Sequence, residues 1–137
     1  MTESYPQIAQ VVLDAPDARV LAEFYRQLFG LHYRESDEPP PPGEPDLDWL
    51  VLRNPYGGPQ LAFQQTTGVR ASTWPDEGVP QMLHLDTVVP NRAELARQAA
   101  RALDLGATLR LDRTDDEDEP LYVFADPVGH PFCIYVG

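Results

Sequence analysis

Apolar and polar positions along the chain follow two periods, one of strands and one of helices, and the two return in the same order twice. Residues 8–15 (IAQVVLDA) carry the short apolar run of a strand. Val20, Leu21, Phe24, Tyr25, Leu28 and Phe29 then recur at helical spacing, which predicts a helix over 17–29 with Asp17 as its N-cap and Gly30 as its stop. Two further apolar runs, 49–53 (WLVLR) and 60–64 (QLAFQ), flank the turn Asn54-Pro55-Tyr56-Gly57-Gly58-Pro59. In the second half a strand over 81–89 (QMLHLDTVV) precedes a helix over 91–105, where Asn91 and Glu94 form a capping box and Leu95, Ala99, Ala102 and Leu103 a narrower stripe ending at Gly106. Runs 121–125 (LYVFA) and 132–136 (FCIYV) again flank a turn, Asp126-Pro127-Val128-Gly129-His130-Pro131.

Each half therefore reads strand, helix, strand, strand, strand. The prediction is an α+β fold of two pseudo-twofold-related βαβββ units, residues 5–66 and 80–137 joined by a linker over 67–79, in one domain spanning 1–137. Neither four-stranded sheet can bury both faces alone, so the expectation is that the sheets curl around a shared cavity with the helices outside, and that the cavity takes a ligand. Residues 37–46 (DEPPPPGEPD) exclude helix and central strand and predict an extended surface loop. Residues 112–120 (DRTDDEDEP) predict a solvated hairpin loop, since they lack the spaced carboxylates and glycine of a calcium loop.

Composition narrows the chemistry. Of 137 residues, 22 are acidic and 10 basic, a net charge of −12 that disfavours nucleic acid and anionic membranes. All the basic residues are arginines, which excludes lysine Schiff bases and the phosphate-loop lysine. The single cysteine, Cys133, has no partner for an internal disulfide, and with no leader or long apolar run the expectation is a cytoplasmic protein. No dinucleotide fingerprint, Walker motif or nucleophile elbow occurs. His130 reads as a turn residue and His32 as an exposed or capping one.

The paired layout, the segments Ala22-Glu23-Phe24-Tyr25 and Leu28-Phe29-Gly30-Leu31, the triplet His84-Leu85-Asp86 and the closing Asp126-Pro127-Val128-Gly129-His130-Pro131-Phe132-Cys133 resemble the vicinal oxygen chelate superfamily. That superfamily includes glyoxalase I, bleomycin-resistance proteins, fosfomycin-resistance enzymes and extradiol dioxygenases, and the chain is most similar to its small glyoxalase-like proteins of unassigned activity. Metal-dependent members place a ligand on the first and last strand of each unit. The resemblance puts those slots at Gln10, at Leu61 or Ala62, at His84 and at Cys133. Leu61 and Ala62 cannot ligate, and Gln64 only approximates the missing donor. A set of Gln10, His84 and Cys133 is softer and weaker than one with paired glutamates, so the expectation is no metal and no other cofactor, with a divalent ion as the alternative.

Alternation places Gln10, Val12 and Asp14 on one face of the first strand and Met82, His84, Asp86 and Val88 on one face of its counterpart. With Ala62, Gln64, Cys133 and Tyr135 they form the expected ligand-binding wall. Trp49 and Trp74 join it as stacking surfaces or else serve as packing residues. An imidazole beside Cys133 would lower the thiol pKa, whereas plain burial would leave the thiol inert.

Three functions compete. The leading expectation is a metal-independent, glyoxalase-like binding protein for a small, partly apolar or cationic molecule, as a homodimer. The second is an enzyme, either a metal-dependent lyase or isomerase using His84 or a metal-free one with His84 and Asp86 as acid and base. The third, a purely structural or interaction domain, requires the cavity to be filled by side chains.

Overall fold

Asp17 opens the first helix by accepting a hydrogen bond from the Val20 amide, and Gly30 closes it in a left-handed conformation at φ 66°. Between these caps α1 (Ala18–Phe29) buries the apolar stripe of Leu21, Phe24, Tyr25 and Leu28. The structure, a computed structural model, describes residues 4–137. Beneath α1 lie β1 (Gln10–Ala15), β2 (His32–Tyr33), β3 (Trp49–Arg53) and β4 (Gln60–Gln65), in the order β1-β4-β3-β2. β1 runs parallel to β4, and the other neighbours are antiparallel.

Strand alternation divides this sheet cleanly. The Tyr25 ring stacks on Phe63 at 5.9 Å, which assigns Phe63 and its register partners Leu13 and Leu50 to the helix side. The other face carries Gln10, Val12, Trp49, Val51, Ala62 and Gln64.

The second unit repeats the plan with β5 (Leu85–Val89), α2 (Arg92–Leu105), β6 (Thr108–Arg113), β7 (Leu121–Ala125) and β8 (Pro131–Val136), in the order β5-β8-β7-β6. Directions repeat as well: β5 is parallel to β8, and the remaining pairs are antiparallel. The Asn91 side chain accepts from the Glu94 amide at 2.8 Å, while the Glu94 carboxylate turns to Arg97 and Gln98. Contacts within the chain separate a unit ending at Thr66 from one running from Thr67 to Gly137. The fold is thus two similar βαβββ halves of α+β type, as the repeat predicts. Among the described residues no helix is long and apolar enough to cross a membrane.

Two differences from the sequence expectation have a physical cause. The first strand begins at Gln10 rather than residue 8, and the fifth at Leu85 rather than residue 81. Continued by one residue, the register sets Ala9 opposite Pro59 and His84 opposite Pro131, and proline has no N–H to extend a ladder. Ile8 and Met82 consequently stand in solvent. The turns also differ by one residue, because Leu52 pairs with Leu61 but Phe124 pairs with Phe132.

Residues 67–79, expected as a linker, contain a closed loop of their own. Thr73 exchanges hydrogen bonds with Val79, its amide donating to the Val79 carbonyl at 2.8 Å and its hydroxyl accepting from the Val79 amide at 2.8 Å. The Ser72 amide donates to the Gly129 carbonyl, tying this loop to the β7–β8 turn. At Gly129 the backbone has φ 112°, and a Cβ there would lie 2.3 Å from the Ala71 Cβ. Gly129→Ala is therefore expected to lower stability by about 2–4 kcal/mol. Gly57→Ala, at φ 92° with open space around it, should lose only about 1–2 kcal/mol. Urea unfolding of the two variants measures the difference, which isolates the packing of Ala71 on the turn.

Candidate functional site

Comparing the registers of the two sheets shows which residues correspond. Ala62 sits between Val12 and Val51, and Cys133 sits between Asp86 and Val123 in the same arrangement. Ala62 is therefore the first-unit counterpart of Cys133, Gln64 that of Tyr135, and Gln10 that of His84. Of the two slots left open by counting, Leu61 lies on the helix side and Ala62 on the candidate face. In the first unit this face offers three amides, Gln10, Gln60 and Gln64, and the Asp14 carboxylate, beside Trp49 and the fully buried Ala62.

The second unit gathers more chemistry. The donor atoms of His84, Asp86 and Cys133 all lie within 4.8 Å of one another. His84 Nε2 is 3.2 Å from Asp86 Oδ1, and its Nδ1 is 3.0 Å from Gln81 Oε1. A neutral imidazole donates from only one nitrogen, so that form needs the Gln81 amide turned to present its N–H. The Trp74 ring stacks on the imidazole at 5.2 Å with a 10° angle between planes. His84 is thus held on a face and on both nitrogens. Tyr135 shares the sheet face of Cys133 and is half-buried.

Trp74 owes its place to residues that carry no sequence signal. The β6–β7 pairing slips between Leu109 and Leu111, and the extra residue is Arg110. Its guanidinium donates to the Thr73 carbonyl at 2.7 Å and reaches Asp76 at 3.4 Å. On the other side Ser72 Oγ accepts from the Trp74 amide at 3.1 Å. His130 behaves as a turn residue, its Nδ1 2.9 Å from the buried Asp126 carboxylate, and His32 lies exposed on β2.

The chain matches the model of the glyoxalase-like domain over residues 10–135. It belongs to that family. With this membership and its fold it is a member of the vicinal oxygen chelate superfamily. Among solved structures it is similar to a glyoxalase/bleomycin resistance protein/dioxygenase family enzyme from Burkholderia phytofirmans PsJN, at 18% identity and TM-score 0.70, covering 96% of this chain and 98% of that one. A fosfomycin resistance protein from Mesorhizobium loti is similar at 15% identity and TM-score 0.62, covering 100% and 94%. A lactoylglutathione lyase from Agrobacterium tumefaciens follows at 18% identity and TM-score 0.59, covering 98% and 96%. No curated protein matches the chain.

A divalent metal is common in this superfamily, and the donor set tests whether one fits here. Oxygen-seeking ions such as Mg or Mn want several carboxylates, and this glyoxalase-like unit offers one carboxylate, one imidazole already bonded at both nitrogens, and one thiol. Burial, and then the Asp86 carboxylate, push the Cys133 thiol up to about 11. Of the two expectations for this thiol, inert burial agrees with the raised value and activation by an imidazole does not, and the leading charge acting on it is that of Asp86. The set does not fit a hard divalent ion.

The raised thiol makes a pH prediction. The unfolded chain releases this proton near 9 and the folded chain near 11, so between those values the unfolded chain holds fewer protons and stability falls as pH rises. Thiolate absorbance near 240 nm should titrate close to 11 in the native protein, and Asp86→Asn should move the midpoint down. Alkylation of Cys133 at neutral pH should be slow, as measured by intact mass.

Proposed function

We propose that this glyoxalase-like protein binds a small, partly apolar or cationic molecule on the face formed by Trp74, His84, Asp86 and Cys133, and that it does so without a resident metal. The observation that carries this reading is the stack of His84 on Trp74 with both imidazole nitrogens engaged. A ring fixed in this way is a rigid, flat recognition surface, whereas a general base needs a free nitrogen. Cys133 contributes a neutral, buried thiol and Asp86 a carboxylate whose side chain is 60% exposed, so a positive or neutral ligand group is favoured there. Tyr135 is proposed as a further ligand contact on this face, and Gln10, Gln64 and Trp49 as the ligand contacts of the corresponding face of the first unit, taken by itself.

A second reading rests on the same three donor atoms. A softer ion such as zinc accepts nitrogen, oxygen and sulfur, and bound by His84, Asp86 and Cys133 it would supply the Lewis acidity of a glyoxalase-type lyase or isomerase. The metal-free enzyme reading asks His84 to act as acid and base with Asp86 orienting it.

The purified protein is expected to hold substoichiometric metal by plasma mass spectrometry, and added Zn, Ni or Mn should shift its melting temperature little. Native mass spectrometry should detect a co-purified small molecule. His84→Ala should weaken its binding by about 1–3 kcal/mol while leaving the fold intact. Stoichiometric metal that disappears in His84→Ala would instead establish the zinc reading.

A further inference from the structure

The first unit holds a separate open cavity of about 640 Å³ where α1 ends, well inside the size range of small-ligand sites. Its walls are the C-terminal turn of α1, the short strand β2, the start of the proline-rich loop and the Tyr56 turn. Of its lining only His32, on the edge strand, alternates onto the sheet face that carries Gln10, Ala62 and Gln64. We propose that this cavity is a binding site for an organic ammonium compound, a cationic nitrogen on an apolar body about the size of one ring.

Three independent features set that ligand class. The first is charge. Glu23 is neutralised by Arg26, whose Nε and Nη2 donate to it at 2.6 and 3.0 Å, and it also accepts from the Tyr33 hydroxyl at 2.6 Å. Glu38 lines the same cavity with no side-chain hydrogen bond or close ion pair among the described residues, and its charge also acts on Arg26; two carboxylates against one guanidinium leave the cavity net negative. The second is the helix: Gly30, its left-handed cap, lies in the cavity wall, and the last turn of α1 presents the negative end of the helix dipole, which favours cations. The third is aromatic surface. Tyr56 is 77% exposed with its ring beside Gly30, and His32 stands exposed on β2, giving π faces of the kind that attract ammonium groups.

The wall is held in place rather than draped. Arg19 on α1 donates to both Asp46 carboxylate oxygens, at 3.0 and 2.8 Å, and to the Asp37 carbonyl at 2.8 Å. Its guanidinium also sits 4.8 Å above the Tyr33 ring. The Asp37 side chain is buried, its carboxylate accepting from the Val51 amide at 2.8 Å. Both ends of the loop that presents Glu38 are therefore fixed, so its backbone need not be ordered on binding.

The test uses benzyltrimethylammonium as ligand, with benzyl alcohol and benzenesulfonate as neutral and anionic controls, followed by amide chemical-shift changes in the full chain. Saturable shifts around Gly30, His32, Glu38 and Tyr56 are expected for the cation alone, weakening as salt is added. Glu38→Gln and Tyr56→Leu, both at exposed positions, should each reduce affinity by about fivefold or more with the spectrum elsewhere unchanged. His84→Ala should leave this affinity unaltered, which separates the site from the proposed ligand face of the second unit. Absence of saturable shifts up to about 10 mM, equal binding of the sulfonate, or full affinity in Glu38→Gln would overturn the proposal.

Discussion

The Asp126 carboxylate is the constraint on which the second unit's arrangement depends. Its side chain is wholly buried, and Oδ1 accepts from the amides of Val128, Gly129 and His130 while the His130 ring closes on the other oxygen. Without that acceptor three turn amides would lie near the protein interior with nothing to bond, each at about 1–3 kcal/mol. The turn so fixed determines where β8 begins, hence that Cys133 faces Asp86, and hence where β5 can start. It also supplies the Gly129 surface on which Ala71 rests and the carbonyl that holds Ser72. Trp74 and His84 meet because one turn governs both approaches.

The first unit uses its buried carboxylate differently. There the turn acid is replaced by Asn54, which caps the Tyr56 amide, and the buried acid is Asp37, bonded to the Val51 amide and paired with Arg34. One half thus anchors the loop that carries Trp74 and the other anchors the proline-rich loop beside α1. Equal architecture has been given two different rigid loops, and the loops rather than the sheets distinguish the surfaces of the halves.

Much of this architecture was legible in the sequence because it rests on local chemistry. Asp17, Gly30, Asn91 and Gly106 mark the helix ends, and the two proline- and glycine-bearing turns mark the antiparallel pairs. The strand starts were not legible, since they depend on which residue the register sets opposite Pro59 and Pro131. Asp86 could be placed on the face of His84 by alternation, but its position as a donor beside Cys133 follows from the parallel pairing of distant strands. Arg110 gave no signal at all: a bulge is visible only once both strands are paired. The cavity at the end of α1 was equally hidden, being assembled from a helix end, a two-residue strand and two loops with no common pattern.

Because β5 begins one residue after it, His84 lies outside the hydrogen-bonded ladder, unlike its counterpart Gln10, which is paired within β1. The cohesion of the sheet is indifferent to what occupies position 84. A substitution there removes no strand hydrogen bond; what it forfeits is the side-chain contacts to Trp74, Gln81 and Asp86.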